Sequence, residues 1–254
     1  MRLLSDEYVD LSVAGAGKMR VHLFRPSGDG RFPALIFYSE IYQVTGPVRR
    51  LAATFAGHGF LVAVPEVYHE YEPSGTAFPY DAKGTDRGNL LKATKPLAAF
   101  DADTLACLDY VTAHPASNGF VGTIGMCLGG HLALRAALSP AVSAAVCFYP
   151  TDLQGGILAE GRGGDTLERL DTLQAECMFV WGRQDPHIPA DARELIRARL
   201  NAAGVCYEWL EFNAAHAFMR DEGHRYDPVL SLRSIATAVE LFQRSATEKR
   251  VMRA

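Results

Sequence analysis

The amino-acid sequence predicts an α/β fold in which helices cover both faces of a mainly parallel central sheet. Short runs of β-branched and aromatic residues alternate with longer segments of helical periodicity along the chain. Several strand-like runs are apolar at every position, which is typical of strands that are buried on both faces. This alternation favours parallel pairing, because the helices serve as crossover connections. A chain of 254 residues is short enough for one α/β domain, so we expect a single domain over residues 1–254.

The strands and helices follow from local patterns. Runs rich in β-branched and aromatic residues predict the strands Arg20–Phe24, Ala34–Tyr38, Phe60–Val64, Val121–Gly125, Ala144–Tyr149, Cys177–Trp181 and Tyr207–Phe212. Segments of helical periodicity predict the helices Val48–Gly57, Asp101–His114, Leu128–Leu138, Asp191–Ala203 and Asp227–Gln243. His58-Gly59 ends the first of these helices and Ser139-Pro140 ends the third, because Gly and Pro are common helix stops.

Two long connections interrupt this alternation. Glu70–Pro96 is rich in Gly, Pro and charge, and Gln154–Leu167 contains two Gly-Gly pairs. Connections this long in a compact domain are functional or mobile. Ligands of open α/β sheets bind beyond the carboxyl ends of the strands, so we expect residues 70–96 to form a cap-like loop over that edge. The alternative is a solvated surface excursion.

Composition excludes several classes of function. The formal net charge is −4, from 25 Lys and Arg against 29 Asp and Glu, and this leaves no basic footprint for nucleic acid. No apolar run approaches the ~18 residues that a bilayer crossing needs, so no membrane partner is expected. Asp6 and Glu7 stand where a secretory signal would have its apolar region, and no signal peptide is predicted. The absence of heptads and of an exposed apolar stripe favours a monomer.

The cysteines indicate a reducing compartment. Their number is five, which is odd, and none forms a Cys-x-x-Cys pair. This argues against a zinc ribbon, an iron–sulfur site or a disulfide framework, and it favours the cytoplasm. Four of them lie in apolar runs and are predicted to be buried structural thiols, namely Cys107, Cys147, Cys177 and Cys206.

The fifth cysteine lies in a motif that carries chemistry. Residues 123–130, TIGMCLGG, run from a predicted strand into a predicted helix through a Gly-x-Cys-x-Gly-Gly turn. This is the nucleophile-elbow pattern, with Cys127 in place of the usual serine. The sharp turn lifts the side chain above the sheet edge, where the helix N-terminus favours a thiolate. The alternative is a packing thiol in a Gly-rich turn.

An acid and a histidine follow in the chain order that a triad on this fold requires. Asp185 lies 58 residues after Cys127, and His216 lies a further 31 residues along. Each follows the end of a predicted strand, so both should project at the same sheet edge as Cys127. His187 is the alternative base, because it lies two residues from Asp185, whereas His58 and His131 are predicted to be structural.

Backbone donors for an oxyanion are also predicted. The N–H of Leu128 directly follows the nucleophile, and the N–H of Ile41 lies in the loop after the strand Ala34–Tyr38. Glu40 is unexpected in that loop, because a carboxylate beside a thiolate is unfavourable unless another group neutralises it. The alternative for Glu40 is a solvated loop acid.

Taken together, the motifs resemble those of the dienelactone hydrolase (carboxymethylenebutenolidase) family. They are Ser-Glu40-Ile41-Tyr-x-Val, Gly-x-Cys127-Leu128-Gly-Gly, Gly-x-x-Asp185-x-x-Ile-Pro and His216-x-Phe-x-Arg220, and the resemblance runs from about Val9 to Leu241. It implies a single-domain α/β-hydrolase fold that opens a lactone or ester through a Cys-Asp-His triad and a thioester, with no metal or organic cofactor. It further implies that Glu40 holds the resting thiol and that Arg220 pairs with a substrate carboxylate, for which a guanidinium fork is suited.

The cap departs from the family pattern. The resemblance implies a second cationic contact to substrate from residues 70–96, for which Arg87 is the first candidate and Lys83 or Lys92 are alternatives. Tyr68, with Glu66 and His69, either lines the pocket or forms a structured turn. Two further functions stay open: a broader carboxylester or thioester hydrolase on the same site, and a relative that only binds a ligand. In either hydrolase the partner is a small-molecule ester or lactone.

Overall fold

A computed structural model describes residues 2–155, 158–161 and 164–253. The strands are β1 (Leu3–Val13), β2 (Gly17–Pro26), β3 (Phe32–Tyr38), β4 (Leu61–Pro65), β5 (Ser117–Met126), β6 (Ala144–Phe148), β7 (Glu176–Gly182) and β8 (Tyr207–Phe212). The helices are α1 (Gly46–Gly57), α2 (Ala82–Thr94), α3 (Leu97–Ala113), α4 (Leu128–Ala136), α5 (Leu158–Gly161), α6 (Ala190–Ala202) and α7 (Pro228–Arg253), with a 3₁₀ turn over Leu167–Thr172.

One sheet contains all eight of these strands, in the order β1-β2-β4-β3-β5-β6-β7-β8. The strands from β4 to β8 in this order pair in parallel, and the hairpin of β1 and β2 adds antiparallel strands at one edge. Every residue of β4 and β6 is buried, as their continuous apolar runs predict. The predicted mainly parallel α/β fold is confirmed.

Parallel pairing places together the segments that carry the candidate site residues. β3, β5, β7 and β8 all run in the same direction, so the segments that follow them emerge at one edge of the sheet. The segment after β3 carries Glu40, and the residue after β5 is Cys127. The turns after β7 and β8 carry Asp185 and His216.

β1 is a strand that the sequence interpretation did not include. Its side chains alternate between half-buried and exposed positions, because β1 is an edge strand with one solvated face. Acidic residues on that face, which are uncommon in strands, make the alternating strand pattern of β1 hard to recognise in the sequence. One of them, Asp10, accepts a 2.9 Å hydrogen bond from Arg20 on β2.

The cap-like segment is partly helical, so the prediction of a loop over residues 70–96 is wrong for Ala82–Thr94. Asp81 caps this helix by accepting from the N–H of Gly84 at 2.8 Å. Glycines within the helix lower its helical propensity and concealed it in the sequence. Gly88 is there because of close packing: a Cβ at this position would lie 2.5 Å from the carbonyl oxygen of Ile41. The helix α2 therefore packs directly against the loop that follows β3.

Two other expectations are only partly met. Cys107, Cys147 and Cys177 are buried, but Cys206 is exposed, because it precedes the edge strand β8. The second long connection, Gln154–Leu167, lies partly outside the described residues; its described part includes α5. Among the helices that the structure describes, none has the length and apolar character needed to cross a membrane.

Candidate active site

Cys127 lies on a strained turn between β5 and α4. Its backbone has φ 58° and ψ −123°, a left-handed conformation that costs a non-glycine residue about 1–3 kcal/mol. Glycine is required two residues later, because a Cβ at Gly129 would lie 2.1 Å from the carbonyl oxygen of Tyr38. This close approach holds the start of α4 against the end of β3. The predicted elbow is present, and its sulfur faces a cavity.

His216 and Asp185 form a buried pair beside the thiol. The Nδ1 atom of His216 lies 2.5 Å from Oδ2 of Asp185, whose other oxygen accepts from the backbone N–H of His187 at 2.8 Å. Burial lowers the pKa of His216, but the sulfur of Cys127 and the carboxylate of Asp185 outweigh burial and raise this pKa to about 10. These two partners favour the protonated imidazole, which lies within hydrogen-bonding reach of the sulfur.

His187, the alternative base, occupies a different place. Its ring stacks edge-to-face on that of His216, with the centroids 4.7 Å apart, and it lines the cavity. Asp185 accepts a hydrogen bond from the backbone N–H of His187, not from its imidazole, whereas it bonds directly to the imidazole of His216. The geometry joins His216, rather than His187, to both the acid and the thiol.

Glu40 is buried near this pair but is held by other groups. Its carboxylate lies 3.8 Å from the guanidinium of Arg220 and accepts from the hydroxyl of Tyr80 at 3.5 Å. Burial raises the pKa of Glu40, and the charge of Arg220 opposes that rise. The expectation that Glu40 holds the thiol is not met here, because the thiol is directed to His216 and to the hydroxyl of Thr151, 3.9 Å away.

Arg220 faces the cavity across an aromatic wall. Its guanidinium carbon lies 4.1 Å from the ring centroid of Tyr80, and its side chain is 14% exposed. Its Nε donates to the backbone carbonyl of Glu222. The neighbouring acidic side chains Asp221 and Glu222 bind Arg50, so they do not neutralise Arg220. The guanidinium is thus held in place near Glu40 and Tyr80, at the cavity that Cys127 and His216 also line.

The two predicted oxyanion donors come from different elements of the fold. Leu128 is the first residue of α4, where a backbone N–H has no acceptor within the helix. Ile41 lies in the loop after β3 and lines the cavity.

A cavity of about 760 Å³ connects these groups with the cap helix. Its lining residues include Glu40, Ile41, Tyr42, Tyr80, Thr85, Asn89, Lys92, Cys127, Thr151, Asp152, His187, His216 and Arg220. Of the three cap cations considered from sequence, Lys92 lines the cavity, and its ammonium binds Asp152 at 2.8 Å.

Arg87 and Tyr68 are not among the cavity-lining residues, which corrects their predicted contact with substrate. Arg87 points away and binds Glu72 at 2.6 Å. Tyr68 is fully buried beneath α2, where its hydroxyl donates to the carbonyl of Gly88. Glu66 and His69 likewise have structural partners, His22 and Asp103.

One cluster has the composition of a metal site. The ligand atoms of His69, Glu70 and Asp103 lie within 4.8 Å of one another. However, the buried ammonium of Lys95 lies 2.7 Å from Glu70 and 2.6 Å from Asp103. A protein cation already compensates these carboxylates, so the cluster serves as a structural ion-pair network.

Sequence reasoning missed Tyr80, Thr151 and Asp152. Tyr80 lies in the cap segment that no motif covers, and Thr151 and Asp152 follow β6 with no distinctive pattern. For Thr151 and Asp152, their position just beyond the end of a predicted strand was an available signal.

The sequence and the fold are also similar to those of known proteins. The family model described as the dienelactone hydrolase family matches residues 19–246. A relative from Saccharomyces cerevisiae named "Putative carboxymethylenebutenolidase" is 38% identical over 253 residues, covering 95% of this chain and 92% of the relative. The carboxymethylenebutenolidase of Pseudomonas sp. (strain P51) is 28% identical over 94% of this chain and 95% of its own length. A solved structure from Klebsiella pneumoniae, described as a putative dienelactone hydrolase, superposes with a TM-score of 0.84 at 23% identity, covering 96% of this chain and 99% of that one.

Proposed function

This chain belongs to the dienelactone hydrolase family and is a hydrolase of ester or lactone bonds, and we propose that it opens a carboxylate-bearing lactone or ester through a thioester on Cys127. The observation that carries the proposal is the geometry of the thiol. A cysteine on a strained elbow faces a cavity within reach of a protonated, carboxylate-bound histidine.

In the first half-reaction, His216 holds the proton of the Cys127 thiol, the resulting thiolate attacks the acyl carbon, and the carbonyl π electrons move onto oxygen. The N–H groups of Leu128 and Ile41 stabilise this oxyanion, and one such donor is typically worth about 10²–10³ in rate. When the tetrahedral intermediate collapses, the carbon–oxygen bond breaks and the imidazolium of His216 gives its proton to the leaving oxygen. The products of this step are a thioester and an alcohol, which stays attached if the substrate is a lactone.

In the second half-reaction, water cleaves the thioester. His216, now neutral, takes a proton from water as the hydroxide adds to the acyl carbon, and the thiolate leaves. Asp185 fixes the imidazole through Nδ1, so that Nε2 serves both steps, and its charge stabilises the imidazolium.

Arg220 supports the preference for an anionic substrate. A guanidinium that is mostly removed from water, and held by Tyr80 and Glu40, binds a carboxylate more strongly than an exposed one. A substrate carboxylate beside Arg220 would compete with Glu40 for that cation.

A broader carboxylester hydrolase is the second candidate. It is favoured by the fact that Glu40 already balances the charge of Arg220, which makes this part of the cavity tolerant of a neutral acyl group.

Steady-state kinetics of site variants test the proposed function. Cys127→Ala should abolish hydrolysis of a lactone and ester panel, and His216→Ala should lower kcat by about 10³ or more. The corresponding change at a thiol outside the cavity, Cys206→Ala, serves as the control. Retention of more than a few per cent of activity by Cys127→Ala would reject the nucleophile, and a collapse with His187→Ala instead of His216→Ala would reject the base.

A further inference from the structure

A buried ion pair lies within the catalytic cavity and has no part in the mechanism above. Lys92 on α2 binds Asp152, in the loop after β6, at 2.8 Å. The two residues are 7% and 9% exposed, and both line the cavity. The pair therefore presents charged groups to a bound substrate rather than to bulk water.

The pair lies on the Thr151 side of the thiol. Asp152 adjoins Thr151, accepts a hydrogen bond from it, and so is one residue from the group 3.9 Å from the sulfur of Cys127. Arg220 and Glu40 belong to different loops, those after β8 and β3. The two ion pairs of the cavity therefore come from different elements of the fold.

Stability alone does not account for the pair. Removing two charges from water costs about as much as their attraction returns, so a buried ion pair is a poor stabiliser. Asp152 also has φ 63°, a left-handed conformation that Asp and Asn adopt more readily than other non-glycine residues. The cap helix already has a second ion-pair anchor outside the cavity, between Arg87 and Glu72.

The chemistry of the pair defines what it can bind. Asp152 accepts from one N–H of the Lys92 ammonium, which carries three donors, and a carboxylate offers about four acceptor sites. Burial raises the pKa of Asp152, but the ammonium of Lys92 outweighs burial and lowers it, which favours the ionised carboxylate beside that ammonium. Their charges cancel, so the pair does not attract a second substrate carboxylate as an unpaired lysine would. A hydroxyl, which donates one hydrogen bond and accepts another, satisfies both partners.

We propose that Lys92 and Asp152 form a specificity subsite for a hydroxyl on the acyl part of the substrate. The inference rests on the proposed hydrolase function, because it concerns the substrate of the same cavity. A site built to bind a hydroxyl discriminates against the analogue that lacks it, since charged groups then lose a partner. Hydrogen bonds to charged groups correspond to a preference of roughly 10- to 150-fold.

The test compares p-nitrophenyl 3-hydroxybutyrate with p-nitrophenyl butyrate, which differ by the hydroxyl alone. The double variant Lys92→Met/Asp152→Asn removes both charges, so neither is left buried and unpaired, and Asn tolerates the left-handed conformation of residue 152. The control, Arg87→Met/Glu72→Gln, removes the ion pair that anchors the same helix outside the cavity. Thermal unfolding establishes that each variant is folded.

The preference for the hydroxylated ester, measured as a ratio of kcat/KM values, should be roughly 10- to 150-fold in the wild type and in the control. It should fall to within about threefold in Lys92→Met/Asp152→Asn. A wild-type ratio near one, or a double variant that loses activity equally on both esters, would show that the pair only anchors the cap and would overturn the inference.

Binding separates this inference from the proposed function. The Cys127→Ala variant should bind the hydroxylated ester more tightly than its analogue, and adding Lys92→Met/Asp152→Asn should remove the difference. If Cys127→Ala shows this binding preference but the wild type hydrolyses no member of the lactone and ester panel, the proposed function is rejected and the subsite is supported. If the wild type hydrolyses both esters but Cys127→Ala binds them with equal affinity, the subsite is rejected and the proposed function is supported.

Discussion

Replacing Arg220 with Gln should reduce hydrolysis of carboxylate-bearing substrates selectively. In the structure the guanidinium lies 3.8 Å from a carboxylate, that of Glu40, and its side chain is 14% exposed. A unit-charge pair at about 4 Å, in surroundings with an effective dielectric constant of about 20, is worth about 4 kcal/mol. If a substrate carboxylate binds at a similar distance, removing the cation should lower kcat/KM for that substrate by about 10³.

The assay compares two substrates and includes a variant at Glu40. Arg220→Gln is measured on an anionic lactone and on p-nitrophenyl acetate, which is neutral and should lose far less. Without Arg220, the buried carboxylate of Glu40 has lost the cation that opposes the burial-induced rise of its pKa. The double variant Arg220→Gln/Glu40→Gln corrects for this effect, because it leaves no buried charge at the site.

Equal losses on both substrates would refute the carboxylate role of Arg220. The residue would then act on the shape or protonation state of the site, and the broader carboxylester hydrolase would become the better proposal. If the double variant regains activity on the anionic substrate, this role is also refuted, because repulsion by Glu40 would then explain the loss in Arg220→Gln.

Two further predictions concern the fold. Burial lowers the pKa of His131 to about 4, against 6.5 for the free side chain. As the pH falls from 6.5 to 4, the unfolded state binds more protons at this residue than the folded state does, so the free energy of unfolding decreases. This costs about 3 kcal/mol by pH 4, and His131→Gln should remove that part of the loss when urea unfolding is compared at pH 7.5 and 4.5; an unchanged pH dependence would contradict the assignment. Gly129→Ala should destabilise the protein by more than about 2 kcal/mol in thermal unfolding, because the added Cβ would meet the carbonyl of Tyr38. The control Gly57→Ala, whose Cβ would have no atom within 4 Å, should be neutral or slightly stabilising. Similar values for both variants would count against the close packing at the elbow.

The parts of the fold that were predictable from sequence are those with one dominant pattern. Strands such as β4 and β6 are buried on both faces, so their runs are apolar throughout and stand out. β1 was missed because an edge strand needs only one apolar face. The helix α2 was missed because Gly84 and Gly88, required by close contacts with Pro79 and Ile41, weaken its helical pattern.

The candidate site divides in the same way. Cys127, Asp185 and His216 were predictable because each lies within four residues of the end of a parallel strand, and strand direction brings these ends to one edge. Lys92 was one of three candidate cations in the cap, but Tyr80, Asp152 and the pairing of Lys92 with Asp152 were not predictable, since they depend on how the cap packs on the sheet. Lys92 and Asp152 are 60 residues apart in sequence, and neither lies in a motif.

Trapping the acyl-enzyme tests the central claim most directly. An activated p-nitrophenyl ester has a leaving group that needs no protonation, so His216→Ala should still be acylated but should deacylate slowly. After acid quenching, mass spectrometry should find one acyl group per chain, on the peptide that contains Cys127, and none in the Cys127→Ala/His216→Ala variant. An acyl group on another residue, or turnover by the wild type with no acyl group detected on Cys127, would contradict the thioester mechanism.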